Sequence, residues 1–253
     1  MKRIWLTGAS SGIGAALAEQ LLQQGHQLAI SARNVAALEA LREAYPQQVL
    51  LLPGDLTDSI QVQKLGVQLT QAWGALDQLI INAGTCEYLD ASHFEAAMIE
   101  RVTRVNLFAP AYCIEAALPL LRNSRQPHLV VTGSSVTYFP LPRAEAYGAS
   151  KAALRYLCQS LRVDLAAEDI AVTLINPGFV DTPLTRVNDF PMPMRWSAEH
   201  AAQHIAARLD RRPLEINFPR LFIAGLTLLA LLPKSLQLAL GKRLVRPSTD
   251  TQP

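Results

Sequence analysis

The sequence predicts one α/β domain with a doubly wound parallel sheet and helices on both of its faces. Short apolar runs alternate with longer stretches of helical periodicity, as in chains of βαβ units. The runs are rich in Ile, Leu and Val and lack polar alternation, as expected of strands covered on both faces. Crossovers between such strands are right-handed almost always, so we expect a ligand crevice beyond the carboxyl ends of the strands.

Six strands and five helices follow from this pattern. The predicted strands are Ile4–Leu6, Gln27–Ser31, Val49–Leu52, Leu79–Ile81, Leu129–Thr132 and Ala171–Ile175. The helical patterns lie at about residues 13–24, 35–44, 58–73, 95–121 and 147–167. We therefore predict a catalytic domain over residues 1–218, a substrate lid at about 183–200, and a C-terminal tail over 219–253.

Composition narrows the class of protein. With 253 residues, half of them hydrophobic, the chain is long enough for one well-buried domain. A net charge of +2 offers no strong field for a polyanion, so no nucleic-acid partner is expected. The three cysteines form no spaced cluster, which favours a reducing, cytoplasmic compartment. The start has too few apolar residues for a secretory signal, and none is expected.

A glycine-rich turn follows the first strand directly. It reads Thr7-Gly8-Ala9-Ser10-Ser11-Gly12-Ile13-Gly14, and a helical pattern begins at once. Glycines permit a tight turn and close approach of a pyrophosphate, and the helix N-terminus offers free N–H groups. No Gly-Lys-Ser/Thr follows, which disfavours a triphosphate loop. A plain tight connection is the alternative interpretation.

The motif Thr-Gly-x-x-x-Gly-x-Gly resembles the cofactor motif of the short-chain dehydrogenase/reductase family, classical type. The likeness covers roughly residues 3–185 and continues, in the family's order, at Asp55, Asn82-Ala83-Gly84, Asn106, Ser134-Ser135, Tyr147-x-x-x-Lys151 and Pro177-Gly178. The resemblance implies a Rossmann-type fold and a hydride transfer between nicotinamide and a carbonyl or secondary alcohol. It assigns to the cofactor Gly8, Ser10, Ser11, Gly12, Ile13, Gly14, Arg33, Asp55, Asn82, Ala83, Gly84, Tyr147, Lys151, Pro177, Gly178, Val180 and Thr182.

The residue after the second strand indicates which dinucleotide is used. An acidic side chain there would bind the ribose hydroxyls of NAD, but this chain has Ala32 followed by Arg33. A guanidinium binds a 2′-phosphate bidentately, which predicts NADP(H) in preference to NAD(H). The alternative for Arg33 is a solvated arginine opening the next helix. Asp55 resembles the family aspartate at the adenine edge; as a helix N-cap, Thr57 or Asp58 fits better.

Tyr147 and Lys151 are four residues apart on a predicted helix, so they share one face. A free phenol has a pKa of about 10 and is a poor base near neutrality. A nearby ammonium group favours the phenolate and lowers that pKa. The pair therefore predicts Tyr147 as general acid and base, with Lys151 also binding the nicotinamide ribose.

Two further catalytic residues are implied by the resemblance. The serine that hydrogen-bonds the substrate oxygen is Ser135 if counted from the end of the fifth strand, and Ser134 if counted back from Tyr147. Ser135 is preferred. Asn106 lies inside a long helical pattern, where an amide can disrupt the helical ladder and hold a water linking Lys151 to solvent. An ordinary polar helix residue is the alternative.

The loop after the sixth strand resembles the family's nicotinamide loop. Pro177 ends the strand, Gly178 allows close approach, and Thr182 is placed to bind the carboxamide or the pyrophosphate. Asp181 is interpreted as a loop cap. His200 and His204 are four apart on a helical pattern, but no third ligand is near them, so no metal site is expected.

Apolar residues dominate the segments that the cofactor does not explain, namely 85–94, 136–146 and 179–197. They include Tyr88, Phe94, Tyr138, Phe139, Phe179, Phe190, Met194 and Trp196. Such a pocket predicts an apolar small-molecule carbonyl or alcohol as the substrate. Two alternatives remain open: NAD-linked alcohol oxidation, and a catalytically silent dinucleotide-sensing regulator. The regulator is disfavoured because Tyr147, Lys151 and the serine are all present.

The tail contains twelve uncharged residues, 221–232. As a helix they would span about 18 Å, too short for the roughly 30 Å core of a bilayer. Leucines beyond them are interleaved with Lys234, Lys242, Arg243 and Arg246, a basic amphipathic pattern. Three roles are open for the tail: a cover over the substrate pocket, a subunit interface of an expected homo-oligomer, or a peripheral membrane contact. Burial within the protein is preferred.

Overall fold

Seven parallel strands form one sheet in the computed structural model, which describes residues 1–245. The strands are β1 (Arg3–Thr7), β2 (Gln27–Ser31), β3 (Val49–Leu51), β4 (Gln78–Ile81), β5 (His128–Thr132), β6 (Ala171–Pro177) and β9 (Glu215–Phe218). Their order in the sheet is β3-β2-β1-β4-β5-β6-β9. Two short strands, β7 (Val180–Asp181) and β8 (Trp196–Ser197), pair separately.

The direction of winding reverses between β1 and β4. On one side β1 pairs with β2, Arg3 opposite Gln27, and on the other it pairs with β4, Ile4 opposite Gln78. A crevice opens at such a switch point, beyond the carboxyl ends of the two strands. The doubly wound sheet and all six predicted strands are confirmed.

The seventh strand, β9, was missed. It is an edge strand that pairs only with β6, and its polar residues Glu215 and Asn217 alternate with the buried Ile216 and Phe218. A four-residue strand with this alternation lacks the continuous apolar run that marked the others.

Helices cover both faces of the sheet. On one face lie α1 (Gly12–Gln23), α2 (Val35–Ala44) and α7 (Ala198–Leu209); on the other lie α3 (Ser59–Trp73), α5 (Ala109–Arg122) and α6 (Glu145–Leu165). Successive strand residues point to opposite faces of the sheet. Ile4 and Leu6 therefore pack in the core on the side of α1, α2 and α7, and Trp5 packs in the core on the side of α3, α5 and α6.

The helix predicted over 95–121 is interrupted. It consists of α4 (Ala96–Thr103), a π-helical turn (Arg104–Phe108) and α5. The backbone N–H of Ala109 bonds the carbonyl of Arg104 one residue farther back than in an α-helix. Asn106 lies within this turn, so the expectation that the helical ladder is disturbed there is confirmed.

The predicted lid, 183–200, is divided by the fold. Trp196–Ser197 forms β8, and α7 begins at Ala198 and buries Ala201 and Ile205 in the core. Only the part before Trp196 remains a surface loop. The tail folds into α8 (Arg220–Ala230) and α9 (Lys234–Leu244), while Arg246 and the rest of the tail lie outside the described residues. None of the helices within residues 1–245 has the length and apolarity to span a membrane.

Candidate active site

The glycine-rich turn is packed too tightly for side chains. Gly8 has φ +69°, and a Cβ added there would lie 2.8 Å from the backbone of Ala83. A Cβ added to Gly14 would lie 2.0 Å from the carbonyl oxygen of Gly8. Both glycines are therefore required by the close approach of protein backbone, while the approach of a pyrophosphate stays a prediction.

The N-terminus of α1 faces the loop that follows β6. Ser11 is the N-cap with extended backbone, and its side chain makes no capping hydrogen bond. The first N–H groups of α1 therefore lack a side-chain acceptor, which suits an anion. A Cβ added to Gly12 would lie 3.0 Å from Cγ2 of Thr182. The fold thus brings Gly12 and Thr182 together although they are far apart in the chain.

The ends of β1 and β4 are joined by side-chain hydrogen bonds. Oγ1 of Thr7 accepts from the backbone N–H groups of Asn82, at 3.1 Å, and Ala83, at 3.2 Å. The Asn82 amide donates to the carbonyl of Gly8 at 3.4 Å. These bonds hold the two loops on either side of the switch point in register.

Arg33 follows β2 and its side chain is exposed to solvent. Ala32 is buried, while Arg33 is exposed and makes no hydrogen bond or ion pair with any described residue. Asn34 caps α2 by accepting from the N–H of Ala37 at 3.3 Å. Because Asn34 supplies the cap, the Arg33 guanidinium has no structural task here.

Asp55 lies in the loop after β3, which ends at Leu51. One of its carboxylate oxygens accepts from the N–H and the hydroxyl of Thr57, at 2.9 and 2.8 Å. Asp58 is the N-cap of α3 and accepts from the N–H of Ile60. The N-cap of α3 is therefore Asp58 and not Asp55.

Lys151 is buried on α6. Its Nζ donates to the carbonyl oxygen of Thr132 at 2.8 Å. Burial lowers the pKa of Lys151 to about 8 because an apolar surrounding disfavours its charged form. A Cβ added to Gly84 would lie 3.4 Å from this Nζ, so the end of β4 borders the lysine.

Tyr147 lies one turn before Lys151 on α6. Burial raises the pKa of its phenol to about 12, and the opposing effect of a hydrogen bond with the Ser134 side chain is smaller. The phenol therefore keeps its proton at neutral pH. The expected lowering of this pKa by the Lys151 ammonium is not found, because burial has the larger effect.

Ser134, the alternative kept open, lies nearer the Tyr147 phenol than the preferred Ser135, while the choice of catalytic serine stays a prediction. It is the Ser134 side chain that acts on the Tyr147 phenol, and Ser134 also accepts from the N–H of Val136 at 3.2 Å. Ser135 begins a short 3₁₀ turn, Ser135–Thr137. Ser134 has extended backbone, φ −168° and ψ 151°, in which successive side chains point to opposite sides. Counting back from Tyr147, the alternative kept open, therefore selects the serine beside the phenol.

Asn106 connects three segments of the site. Its Oδ1 accepts from the N–H of Thr85, and its Nδ2 donates to the Thr85 carbonyl, both at 2.9 Å. The same Nδ2 donates to Oγ of Ser150, the neighbour of Lys151 on α6, at 3.0 Å. Asn106 thus holds the chain after β4 against α6. The water relay remains a prediction.

A support behind Ser134 was not anticipated. The Thr137 hydroxyl donates to the Ser134 carbonyl at 3.0 Å, and Arg155 donates to that hydroxyl at 3.0 Å. Arg155 also pairs with Glu215 of β9 at 3.4 Å. Arg155 lies four residues after Lys151, so it extends the same helix face; its partner on the missed strand gave no sequence signal.

The loop after β6 lies against the tail. The N–H of Gly178 donates to the carbonyl of Phe218 at 2.7 Å, and a Cβ on Gly178 would lie 3.0 Å from Cδ1 of Phe222. Val180 is buried in β7. Asp181, expected to cap the loop, instead forms an ion pair with Arg186 at 3.0 Å. A side chain at position 178 would crowd the Phe222 ring.

Aromatic side chains join the lid loop to the body. Tyr88 meets Phe190 edge-on at 5.5 Å between ring centroids, and its hydroxyl donates to Asn188 at 2.7 Å. Phe179 lies 6.0 Å from Phe190 and 5.5 Å from Phe222 of α8. The chain around Tyr88, the lid and the tail therefore share one aromatic cluster.

Other predicted pocket residues lie elsewhere. Tyr138 donates to Glu215 at 3.0 Å, and Phe139 is buried. Trp196 stacks on His200, at 4.0 Å between ring centroids, and meets His204 edge-on at 5.0 Å. Both imidazoles thus pack against an indole ring.

Comparison with known proteins agrees with this arrangement. The family model described as short chain dehydrogenase matches residues 2–190. An uncharacterized oxidoreductase of Myxococcus xanthus is 32% identical over 242 residues, which are 94% of this chain and 96% of the relative. The 11-beta-hydroxysteroid dehydrogenase A of Sesamum indicum is 35% identical over 190 residues, 73% of this chain and 54% of that longer protein.

Solved structures share the fold. A short-chain dehydrogenase from Streptomyces avermitilis superposes with a TM-score of 0.83 at 24% identity, covering 95% of this chain and 96% of that one. The aldohexose dehydrogenase of Thermoplasma acidophilum gives a TM-score of 0.70 at 26% identity, covering 81% and 85%.

Proposed function

The chain belongs to the short-chain dehydrogenase family, and we propose that it uses NADPH to reduce the carbonyl group of an apolar small molecule. One observation carries the proposal: Ser134, Tyr147 and Lys151 converge at the carboxyl end of the sheet, and the phenol keeps its proton. A protonated acid beside a hydroxyl donor is what carbonyl reduction requires of the protein.

The residues at the switch point fit a nicotinamide dinucleotide. Gly8 and Gly14 leave no room for side chains, and the first turn of α1 lacks a side-chain acceptor for its N–H groups. The pyrophosphate would be held there, with Asn82, Ala83 and Gly84 along the next strand end and Thr182 opposite Gly12. When bound, the reduced cofactor supplies the hydride.

The protein supplies the proton. Tyr147 donates it to the carbonyl oxygen, and the Ser134 hydroxyl hydrogen-bonds that oxygen as negative charge develops. Lys151, with a pKa of about 8, gains and loses a proton near neutrality and is suited to restoring the proton of Tyr147. Its bond to the Thr132 carbonyl holds the ammonium at the strand end.

Arg33 supports a preference for NADPH. It is exposed and unpaired among the described residues, at the end of β2, where an acidic side chain would select NAD. A guanidinium in that place binds a 2′-phosphate. The residues next to Arg33 in the chain, Ala32 and Asn34, carry no carboxylate that would compete for it.

Tyr88, Phe179, Phe190 and Phe222 support an apolar substrate. Aromatic rings dominate the side of the molecule where the lid meets the body. The relative from Sesamum indicum is named for a hydroxysteroid, an apolar secondary alcohol.

The test is NADPH oxidation by the purified protein with a panel of aliphatic, aromatic and sterol-like ketones, each repeated with NADH. Turnover faster with NADPH, and absent in Tyr147→Phe, is the expected result. Faster turnover with NADH would favour NAD-linked alcohol oxidation. Dinucleotide binding without turnover on any member would favour the regulator.

A further inference from the structure

Helices α8 and α9 carry a surface that the proposed reaction does not use. We call it the tail surface and define it by its exposed apolar residues Leu221, Ala224, Gly225, Leu228, Leu231, Leu236 and Leu238. Of the residues of α8, only Ile223 and Leu226 are buried. Apolar surface of this extent is rare on soluble monomers and marks a contact site.

The exposed residues of α8 follow helical spacing. Positions 221, 224, 225 and 228 repeat at i, i+3, i+4 and i+7, and position 231 continues the row. Leu221 is 77% exposed, Leu228 66% and Leu231 78%, whereas Ile223 on the other side is 5% exposed. The helix thus presents an unbroken apolar stripe to solvent.

Helix α9 leaves its leucines outside as well. Gln237 is its only buried residue, and its Nε2 donates to the carbonyls of Ala230, at 2.8 Å, and Leu232, at 2.7 Å. These bonds satisfy carbonyls at the end of α8. Leu236 and Leu238 lie about 100° around the helix on either side of Gln237, and both are exposed.

Positive charge is concentrated on the same two helices. Residues 219–245 contain Arg220, Lys234, Lys242 and Arg243 and no acidic residue. Residues 1–218 carry 20 acidic and 18 basic side chains, so the body has a slight negative excess. A groove of about 420 Å³ beside α8 combines the Arg220 side chain with Ile223, Ala224 and Leu228. The Arg220 guanidinium and apolar side chains of α8 therefore lie side by side.

The combination of positive charge and exposed leucines favours a lipid bilayer over a second copy of the chain as the partner of the tail surface. A second copy placed symmetrically on the tail surface would bring four positive charges against four others, which repel. An anionic bilayer surface attracts them and accepts the leucines at its headgroup boundary. Helices of 11 residues are too short to cross, so such a contact stays peripheral.

We propose that α8 and α9 dock the protein on an anionic lipid bilayer, with the exposed leucines in the headgroup region and the four basic side chains near the lipid phosphates. Phe222 of α8 contacts Phe179 of the aromatic cluster. Helix α8 therefore lies beside the aromatic cluster.

The experiment is flotation of the full-length protein with vesicles of phosphatidylcholine alone or mixed with phosphatidylglycerol. We expect the protein to float with the mixed vesicles only. High salt should release it, because the Debye length falls from about 10 Å at 0.1 M to about 3 Å at 1 M.

Two variants, each with a control, test the contribution of the positive charges and that of the exposed leucines. Lys242→Gln/Arg243→Gln should weaken partition roughly ten- to thirtyfold. The control Lys64→Gln/Arg125→Gln removes the same charge from exposed sites elsewhere and should leave partition unchanged. Leu228→Gln/Leu231→Gln should also abolish flotation, whereas Leu214→Gln, at a leucine 63% exposed outside the tail, should not. Circular dichroism melts confirm that each variant folds.

Three results would overturn the proposal. The first is no flotation with either vesicle. The second is an equal loss in the Lys64→Gln/Arg125→Gln control. The third is a parent protein that binds no lipid, together with a Leu228→Gln/Leu231→Gln variant whose oligomer is smaller than the parent's by light scattering. That result would mean that a second copy of the chain covers the tail surface.

Discussion

Lys151 of α6 donates a hydrogen bond of 2.8 Å to the carbonyl oxygen of Thr132, the last residue of β5. The bond joins the helix that carries Tyr147 to the strand that leads into Ser134. Since Lys151 is buried, the bond also satisfies an ammonium group that has lost water. Tyr147 and Ser134 are therefore held by one connection.

Tyr147→Phe should lower carbonyl-reduction turnover by about 10²–10⁴, the usual effect of losing a general acid. The ring stays, so NADPH binding should be unchanged by fluorescence titration. Tyr45→Phe, at a partly buried tyrosine outside the site, is the matched control. Near-parental turnover in Tyr147→Phe would remove the assigned role.

Ser134→Ala should lower turnover, whereas Ser135→Ala should keep it within a few-fold. The reason is that the Ser134 side chain acts on the Tyr147 phenol. Losing one donor to a developing oxyanion costs roughly 10²–10³ in rate in a known protease. Steady-state kinetics of both variants decide, and the reverse ranking would restore Ser135.

Arg33→Ala should weaken NADPH binding about ten- to a hundredfold and leave NADH nearly unchanged. Only NADPH carries the phosphate, and a charge-assisted hydrogen bond is worth roughly 1.5–3 kcal/mol. Arg42→Ala, at an exposed arginine on α2, controls for the loss of charge. Equal losses for both cofactors, by titration, would contradict the assignment.

The cofactor-free protein should gain stability relative to Lys151→Met between about pH 8 and pH 10. Burial lowers the folded-state pKa of Lys151 to about 8, while the unfolded chain keeps its proton until about pH 10.4. In that window the unfolded state binds more protons, so the free energy of unfolding rises with pH. Below about pH 8 both states are charged and the contribution is flat.

Denaturant unfolding of both proteins across this range measures the difference. The hydrogen bond to Thr132 is missing from Lys151→Met at every pH, so it shifts the curves without changing their relative slope. Parallel curves would show that the lysine is not desolvated.

Tyr88→Phe should raise the KM for substrate several-fold and change kcat little. The ring still packs on Phe190, but the hydroxyl no longer bonds Asn188 of the lid loop. One such neutral bond is worth about 1 kcal/mol, or roughly fivefold. Tyr138→Phe, whose hydroxyl bonds Glu215 away from the lid, serves as the comparison. A fall in kcat with KM unchanged would place Tyr88 in the chemistry instead.

Local patterns in the sequence were enough for the first six strands, the glycine turn and the Tyr147–Lys151 pair. Each depends on neighbours in the chain: an apolar run buries both faces of a strand, and a spacing of four places two side chains on one helix face. A disturbance of the helix at Asn106 was also expected, because an amide inside a helix can compete for backbone hydrogen bonds, although its π-helical form was not predicted.

Tertiary structure alone decided the features that join distant segments. The influence of Ser134, and not Ser135, on the Tyr147 phenol depends on how the chain after β5 packs against α6. Gly12 meets Thr182, and Gly178 meets Phe222, only after the sheet has formed. β9, an edge strand, is specified by pairing with β6 and by Arg155 reaching Glu215. Spacing along a chain reports local geometry, whereas contacts between distant segments depend on how the completed sheet and its helices pack.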